Sequence, residues 1–375
     1  MGVEIIEVKD KKQLKEFVKF PFELYKNSPY WVPPIISAEM KQLSAEGNPA
    51  FEHSQVQLFL AKQNGKTVGR IAALINELET KHIGEVHGRF GWFDFVEDQE
   101  VCNALLAAAE EYVKQLGAAC LKGPHGFNQL DKTGMLTEGF DSLGTMGTLY
   151  NYPYYKDMVE AAGYNKDLEW VEIDLRLTGK IPERYARFAD VAMNRMGLQI
   201  MTPHNKAELR KIANYLFDLM METYAELPGF IPISDKQRDT YIEKYVRFLR
   251  MDLLVVIADK EGTPIGFGVT MPSMSKALQK ARGKLFPFGL LHLLWGRRFN
   301  DTIELALIGV KEEWRSKGIH GLIFYETEKN TTKAGMLKVK INPMLEFNTK
   351  VLSLWKDYEH KVYKRRRTYR KVLTC

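Results

Sequence analysis

The chain has 375 residues, of which 45% are hydrophobic and 27% charged, and its net charge is +6. That length and apolar content suit two domains of ordinary size, each with its own core, and the mild basic excess favours anionic ligands without amounting to a nucleic-acid-binding tail. Three cysteines (Cys102, Cys120 and Cys375) form no CxxC pair and eight histidines lack ligand spacing, which argues against a disulfide framework or a metal site and for a reducing compartment.

From the N-terminus, no apolar run follows the first charges, so the segment does not read as a signal peptide. Alternation and β-branched residues predict a strand at Val3 to Val8, helices over Lys11 to Tyr25 and Pro34 to Leu43, a hairpin over Val56 to Ile75 and a strand at Gly88 to Phe95. A helix over Val101 to Leu116, a strand at Cys120 to Gly123, a helix over Tyr154 to Ala162 and a strand at Glu169 to Leu175 follow. The same order then recurs. Strand Leu198 to Met201, helices Lys206 to Tyr224 and Asp235 to Leu249, and hairpin Leu253 to Met271 precede strand Thr302 to Val310. Helix Ile319 to Ala334, strand Leu337 to Ile341, helix Lys350 to Asp357 and strand Arg365 to Val372 complete the chain.

The recurrence has a sequence signature. The hairpins AKQNGKTVGR (Ala61 to Arg70) and ADKEGTPIGF (Ala258 to Phe267) lie 197 positions apart and share Ala, Gly, a β-branched residue and Gly. Asp10 with Leu14 and Asn205 with Leu209 each read as a helix N-cap followed by the first core residue. Downstream, PHGFN at Pro124 and PMLEFN at Pro343 follow matching strands. The expectation is two α/β (α+β) domains, 1–177 and 178–375, each a mixed, largely antiparallel twisted sheet flanked by helices.

Two segments break the repeat. The second copy carries an insertion, 273–299, that is rich in Phe, Leu and Trp and rimmed by Lys276, Lys280, Arg282, Lys284, Arg297 and Arg298. It is too short to span a bilayer and reads as a lid, a homodimer contact or a membrane-surface foot, with packing on the protein's own body the default. The other is the turn between Val310 and the following helix, which holds Arg315, Lys317 and Gly318, whereas the first copy has Glu97, Asp98, Gln99 and Glu100 there and no glycine. Unpartnered N–H groups and the macrodipole at a helix start favour phosphate; acidic side chains repel it.

Here the chain resembles the GCN5-related N-acetyltransferases, the GNAT superfamily, whose acetyl-CoA loop follows [QR]xxGx[GA] after a strand. Arg315, Ser316, Lys317, Gly318, Ile319 and His320 occupy that pattern, with His320 in place of the final small residue and Gly321 one position later. The resemblance implies a helix that starts one residue later or an imidazole in contact with phosphate. It also implies an oxyanion-binding backbone N–H within Ile308, Gly309 and Val310, a general base at Glu304, and Asn348 opening the closing helix. Trp355 stands where many members have the tyrosine that protonates the departing thiolate, and Tyr358, one turn on, is the substitute.

The function implied is a cytoplasmic, metal-free acyltransferase that uses acetyl-CoA, or another acyl-CoA, to acylate a small-molecule or peptide amine through the second domain alone. A non-catalytic scaffold, with His320 and Trp355 as marks of decay, and an aminoacyl-tRNA-dependent transferase are the alternatives. The aromatic run Tyr150, Tyr152, Tyr154 and Tyr155 reads as loop packing or as part of an acceptor groove. The basic run Lys364 to Lys371 reads as a final strand with one solvated face.

Overall fold

A computed structural model describes residues 2–181, 183–246, 249–356 and 358–373. In the first half the order is β1 (Glu4–Glu7), α1 (Lys11–Leu24), α2 (Ile36–Gln42), β2 (Ser54–Gln63), β3 (Lys66–Asn76) and α3 (Glu77–Ile83). Then come β4 (His87–Phe95), α4 (Gln99–Gln115), β5 (Cys120–Gly123), β6 (Met135–Glu138), α5 (Tyr154–Ala161) and β7 (Asn165–Arg176). The second half runs α6 (Glu183–Arg195), β8 (Gln199–Ile200), α7 (Lys206–Tyr224), α8 (Asp235–Val246), β9 (Leu254–Ala258) and β10 (Pro264–Pro272). It ends with α9 (Ser275–Ala281), α10 (Gly289–Arg298), β11 (Thr302–Val310), α11 (Ile319–Lys333), β12 (Lys338–Leu345), α12 (Thr349–Leu352) and β13 (His360–Val372).

The expected helices form where apolar residues recur every three or four positions and the first turn is capped. Asp10 and Asn205 accept from Gln13 N–H and Glu208 N–H, as N-caps do. The expected α/β architecture is observed, a mostly antiparallel sheet with helices on both faces. The helices α4, α7 and α11 each bury one stripe: α4 through Val101, Leu105 and Val113, α7 through Leu209, Leu216 and Met220, and α11 through Ile319, Leu322 and Ile323. Helix α3 and strand β6 escape the periodicity reading because they are brief, and α6 because its buried positions include the small Ala189 and Ala192. Past α8, residues 247 and 248 of the expected helix lie outside the described residues, as does Asp357. The expected helix from Lys350 is a single turn, α12, continued by a 3-10 turn at Ser353–Trp355.

The strands make one sheet in the order β1-β2-β3-β4-β5-β13-β7-β12-β11-β10-β9-β8, with β6 beside β13. Its two halves exchange their last strands. β7 of the first half pairs with β12, and β13, at the end of the chain, pairs with β5 and β7. The basic run on β13 is therefore central rather than solvated on one face. Lys364, Arg366 and Thr368 point into the interior and are buried. On the other face Arg365 and Arg367 are ion-paired with Glu169 at 3.2 and 2.7 Å.

Arg366 and Glu172, from β13 and β7, form an ion pair with both side chains fully buried, and Tyr363 Oη donates to the same carboxylate at 3.0 Å. A buried charge that loses its partner typically costs about 3–5 kcal/mol. Arg366→Ala should lower the urea-unfolding free energy of the whole chain by about that amount, with both halves unfolding in one transition. Two separate transitions would show that the exchanged strands do not couple the halves.

Candidate functional site

The sequence difference between the copies corresponds to a difference in backbone geometry. β11 and β12 pair in parallel only from Thr302↔Lys338 to Leu305↔Ile341, and beyond Leu305 they part, while β11 stays paired with β10 up to Val310. The opening begins at a bulge: Thr270 opposes Leu305 and Val269 opposes Leu307, so Ala306 is the extra residue. A bulge bends a strand and shifts its side-chain alternation by one. Glu304 and Gly309, five positions apart, consequently both face α7.

The backbone groups in the opening follow from register. Lys311 N–H donates to Ile265 O at 2.9 Å, so alternation points the N–H of Gly309 toward β10 and those of Ile308 and Val310 toward the gap. Tyr224, at the end of α7, reaches the same gap and donates to Ile308 O at 3.1 Å. Burial pushes its phenol up to about 12, so it stays protonated at neutral pH. From the β12 side Asn342 Nδ2 lies 3.4 Å from Ala306 O, while its Oδ1 is buried with no partner among the described residues. Nothing in the sequence marks Tyr224 or Asn342, because the tertiary fold brings α7 and β12 to one gap.

Above the gap, Glu312–Lys317 forms a 3-10 turn, and Gly318 follows at φ 77°, a left-handed conformation that strains any side-chain-bearing residue. Helix α11 starts at Ile319, not one residue later, and has no side-chain cap. The N–H groups of Ile319 and His320 find no acceptor among the described residues. Arg315 and Ser316 are exposed, and Lys317 lies 4.1 Å above the Trp314 ring. Burial first, and Arg315 second, lower the pKa of His320, so its imidazole is neutral at pH 7 and joins the half-buried Gly321 as a hydrogen-bonding rather than a cationic element.

In the first half three corresponding groups are taken up from within the chain. Asp98 caps α4 by accepting from Glu100 N–H at 2.8 Å and Val101 N–H at 3.4 Å, and so takes up the N–H that corresponds to the free one of His320. β4 and β5 part after Arg89↔Lys122, but the chain at His125 fills the gap, with its N–H on Phe90 O at 2.7 Å. A Cβ on Gly91 would stand 2.1 Å from His125 O, so only glycine allows that approach. Phe95, paired with Gly69 as Val310 is with Gly266, gives its N–H to Tyr155 Oη at 2.9 Å. Tyr155 is thus packing of the first half, whereas Tyr152 and Tyr154 line a cavity with Leu24, Val96 and Glu97.

Glu304 lies one residue before the opening and is buried, held by Ser273 Oγ at 2.7 Å and Ser275 Oγ at 3.4 Å. The backbone of Met146, in the first half, also bonds to it, so its surroundings are shared between the halves. Burial raises its pKa to about 7, against the hydroxyls, which lower it. Tyr358 is on the other face of β11, with its hydroxyl 3.4 Å from Glu328 Oε2 and its ring stacked on Tyr185, so the structure does not bring the two expected catalytic residues together. Asn348 caps α12 by accepting from Val351 N–H at 3.3 Å, and Trp355 is a core residue against Phe324.

No family model matches the chain. It is 29% identical over 375 residues to Protein YghO of Escherichia coli (strain K12), covering 97% of this chain and 94% of that protein. It is 27% identical over 383 residues to the bacterial ceramide synthase of Caulobacter vibrioides (strain NA1000 / CB15N), covering 99% and 98%. Among solved structures, the tandem GNAT protein from the clavulanic acid biosynthesis pathway superposes with a TM-score of 0.58 at 11% identity, covering 99% of this chain and 98% of that one. That likeness is one of fold and extends over both halves.

The shifted carboxyl has a consequence for stability. Folding raises Glu304 from 4.5 to about 7, so the native state holds a proton that the unfolded state has lost, and stability falls as pH rises through that window. Glu304→Gln removes the dependence. The melting temperature of the variant relative to wild type should increase from pH 5 to pH 8, and a constant difference would place the carboxyl in a solvated site.

Proposed function

Given that the chain has the tandem fold of the GCN5-related N-acetyltransferases, we propose that it is an acyl-CoA-dependent N-acyltransferase whose second half alone binds the donor. The observation that carries this reading is the contrast between the open β11–β12 gap with its uncapped helix start and the closed, capped counterpart in the first half. The pyrophosphate of CoA would take the N–H groups at the start of α11, with Arg315 and Lys317 adding charge. Ser316, Gly318, Ile319, His320 and Gly321 complete that turn. The pantetheine would run between β11 and β12, where the unpartnered Asn342 Oδ1 can accept from an amide N–H. Acetyl-CoA is the shortest such donor.

The amine nitrogen attacks the thioester carbonyl, the C–N bond forms, and the oxyanion is met by the N–H of Ile308 or Val310 beside Gly309. Glu304 takes the proton from nitrogen, and a carboxyl that titrates near 7 is matched to that task. The C–S bond then breaks and the thiolate takes a proton from a neutral tyrosine. Tyr224, in the gap, is better placed for this than Tyr358. Asn348 contributes by holding the turn that follows β12. The acceptor would approach Glu304 from where the halves meet, near Met146. The ceramide synthase among the relatives supports a long-chain amino alcohol there. The RNA-dependent alternative, which relied on the basic tail and the insertion, loses part of the tail, since Lys364 and Arg366 are interior.

Titration calorimetry with CoA should detect binding to the wild type and at least a tenfold weaker affinity for Gly318→Val, on the order of 1.4 kcal/mol or more. No heat from a folded sample at millimolar CoA would overturn the donor assignment. With acyl-CoA and sphinganine or a short hydrophilic amine as acceptor, kcat/KM should rise with pH through about 7 and favour sphinganine. Glu304→Gln should lose about 100-fold or more and that pH limb, and Tyr224→Phe should lower kcat more than Tyr358→Phe. The reverse order would return the proton-donor role to Tyr358.

A further inference from the structure

The insertion between β10 and β11 forms a compact foot with two unlike faces. Its inner face is anchored: Met274, Leu278 and Leu293 pack on Val32 of the first half, Gln279 Nε2 donates to Pro29 O at 2.8 Å and Trp31 O at 3.0 Å, and Ile36 N–H bonds Gly283 O at 2.9 Å. Its outer face is bare. Among the described residues, seven of the fourteen exposed large apolar side chains fall between Phe286 and Phe299, with Phe286 75% and Trp295 67% exposed. On α10, Leu290, Leu291, Leu294 and Trp295 share an arc of about 140°, at 3.6 residues per turn. The expectation that the insertion is covered by the body therefore holds for one face only.

Charge identifies what covers the other face. Between 273 and 299 the sequence has six Lys and Arg residues and no Asp or Glu. Lys280, Arg282, Lys284 and Arg298 are exposed and make no ion pair among the described residues. A second copy of the same face would set these cations against each other, whereas an anionic bilayer surface meets both features at once. Apolar side chains enter the acyl boundary, and the cations meet phosphate headgroups. No described helix is long and apolar enough to cross a membrane, so the fit is to the interface. We infer that the foot, residues 275–299, docks the protein on an anionic phospholipid surface. The first residue of the foot, Ser275, and the neighbouring Ser273 both hold Glu304, so the foot is joined directly to the candidate site.

Co-sedimentation of the full chain with phosphatidylcholine vesicles, with and without phosphatidylglycerol, tests this without any substrate, and so apart from the acyl-transfer reading. The wild type should pellet with the anionic vesicles, and less so as salt is raised past the range where surface charges are screened. Leu291→Glu with Trp295→Glu should lower the partition coefficient at least about tenfold, because two apolar side chains are exchanged for charge. Both positions are exposed, so the melting temperature should be unchanged, which separates loss of docking from loss of fold. Lys280→Glu with Lys284→Glu should remove the preference for phosphatidylglycerol. Wild type left in the supernatant, a double variant that pellets as wild type does, or a gel-filtration dimer dispersed by the same substitutions without vesicle binding would each overturn the docking surface.

Discussion

Everything in this fold hangs on the exchange of β7 and β13. Each half sends its last strand into the hydrogen-bond ladder of the other, so the sheet has no seam at which it could be divided without leaving two rows of backbone groups unpaired. At the crossing, a fully buried guanidinium meets a fully buried carboxylate. A pair of that kind adds little net stability over apolar packing, but it penalises any register that separates the charges. In the same shared structure Met146, from the first half, lies beside Glu304, from the second.

Within this shared sheet, duplication supplies two similar gaps and local chemistry decides which stays open. A carboxylate at the start of α4 takes two helix donors from within the chain; α11, which starts at a left-handed glycine, has no side-chain cap and leaves the N–H groups of Ile319 and His320 free among the described residues. The backbone after β5 turns back into its own gap, and Tyr155 occupies the N–H at Phe95. In the second half the bulge at Ala306 starts the divergence and puts Gly309 on the same face as Glu304. The foot extends the second half further, with one face fastened to the first half and the other left to a partner.

Much of the fold was legible because amphipathic periods and helix caps are local. The hairpins, the long helices and the basic turn at Arg315 to Gly321 needed only neighbours in sequence. Tyr224 and Asn342 were not legible, since their meaning comes from a gap formed by elements far apart in the chain. Tyr358 and Glu304 were both expected at the site in a linear reading, yet the fold places Tyr358 with Ile303, Leu305 and Phe324 on the face of β11 opposite Glu304. The basic run on β13 looked solvated because its pattern is alternating and charged, and only its central place in the ladder turned Lys364 and Arg366 inward.

By itself, then, the sequence determined that two similar α/β units follow one another and that only the second has a turn chemically suited to an anion. It could do so because capping, turn conformation and charge act over a few residues. Which strands pair across the halves, which gap opens, which tyrosine reaches it and which face of the insertion stays uncovered were decided by tertiary structure. Those outcomes depend on burial and backbone register between segments up to 261 residues apart, where neighbouring side chains carry no information.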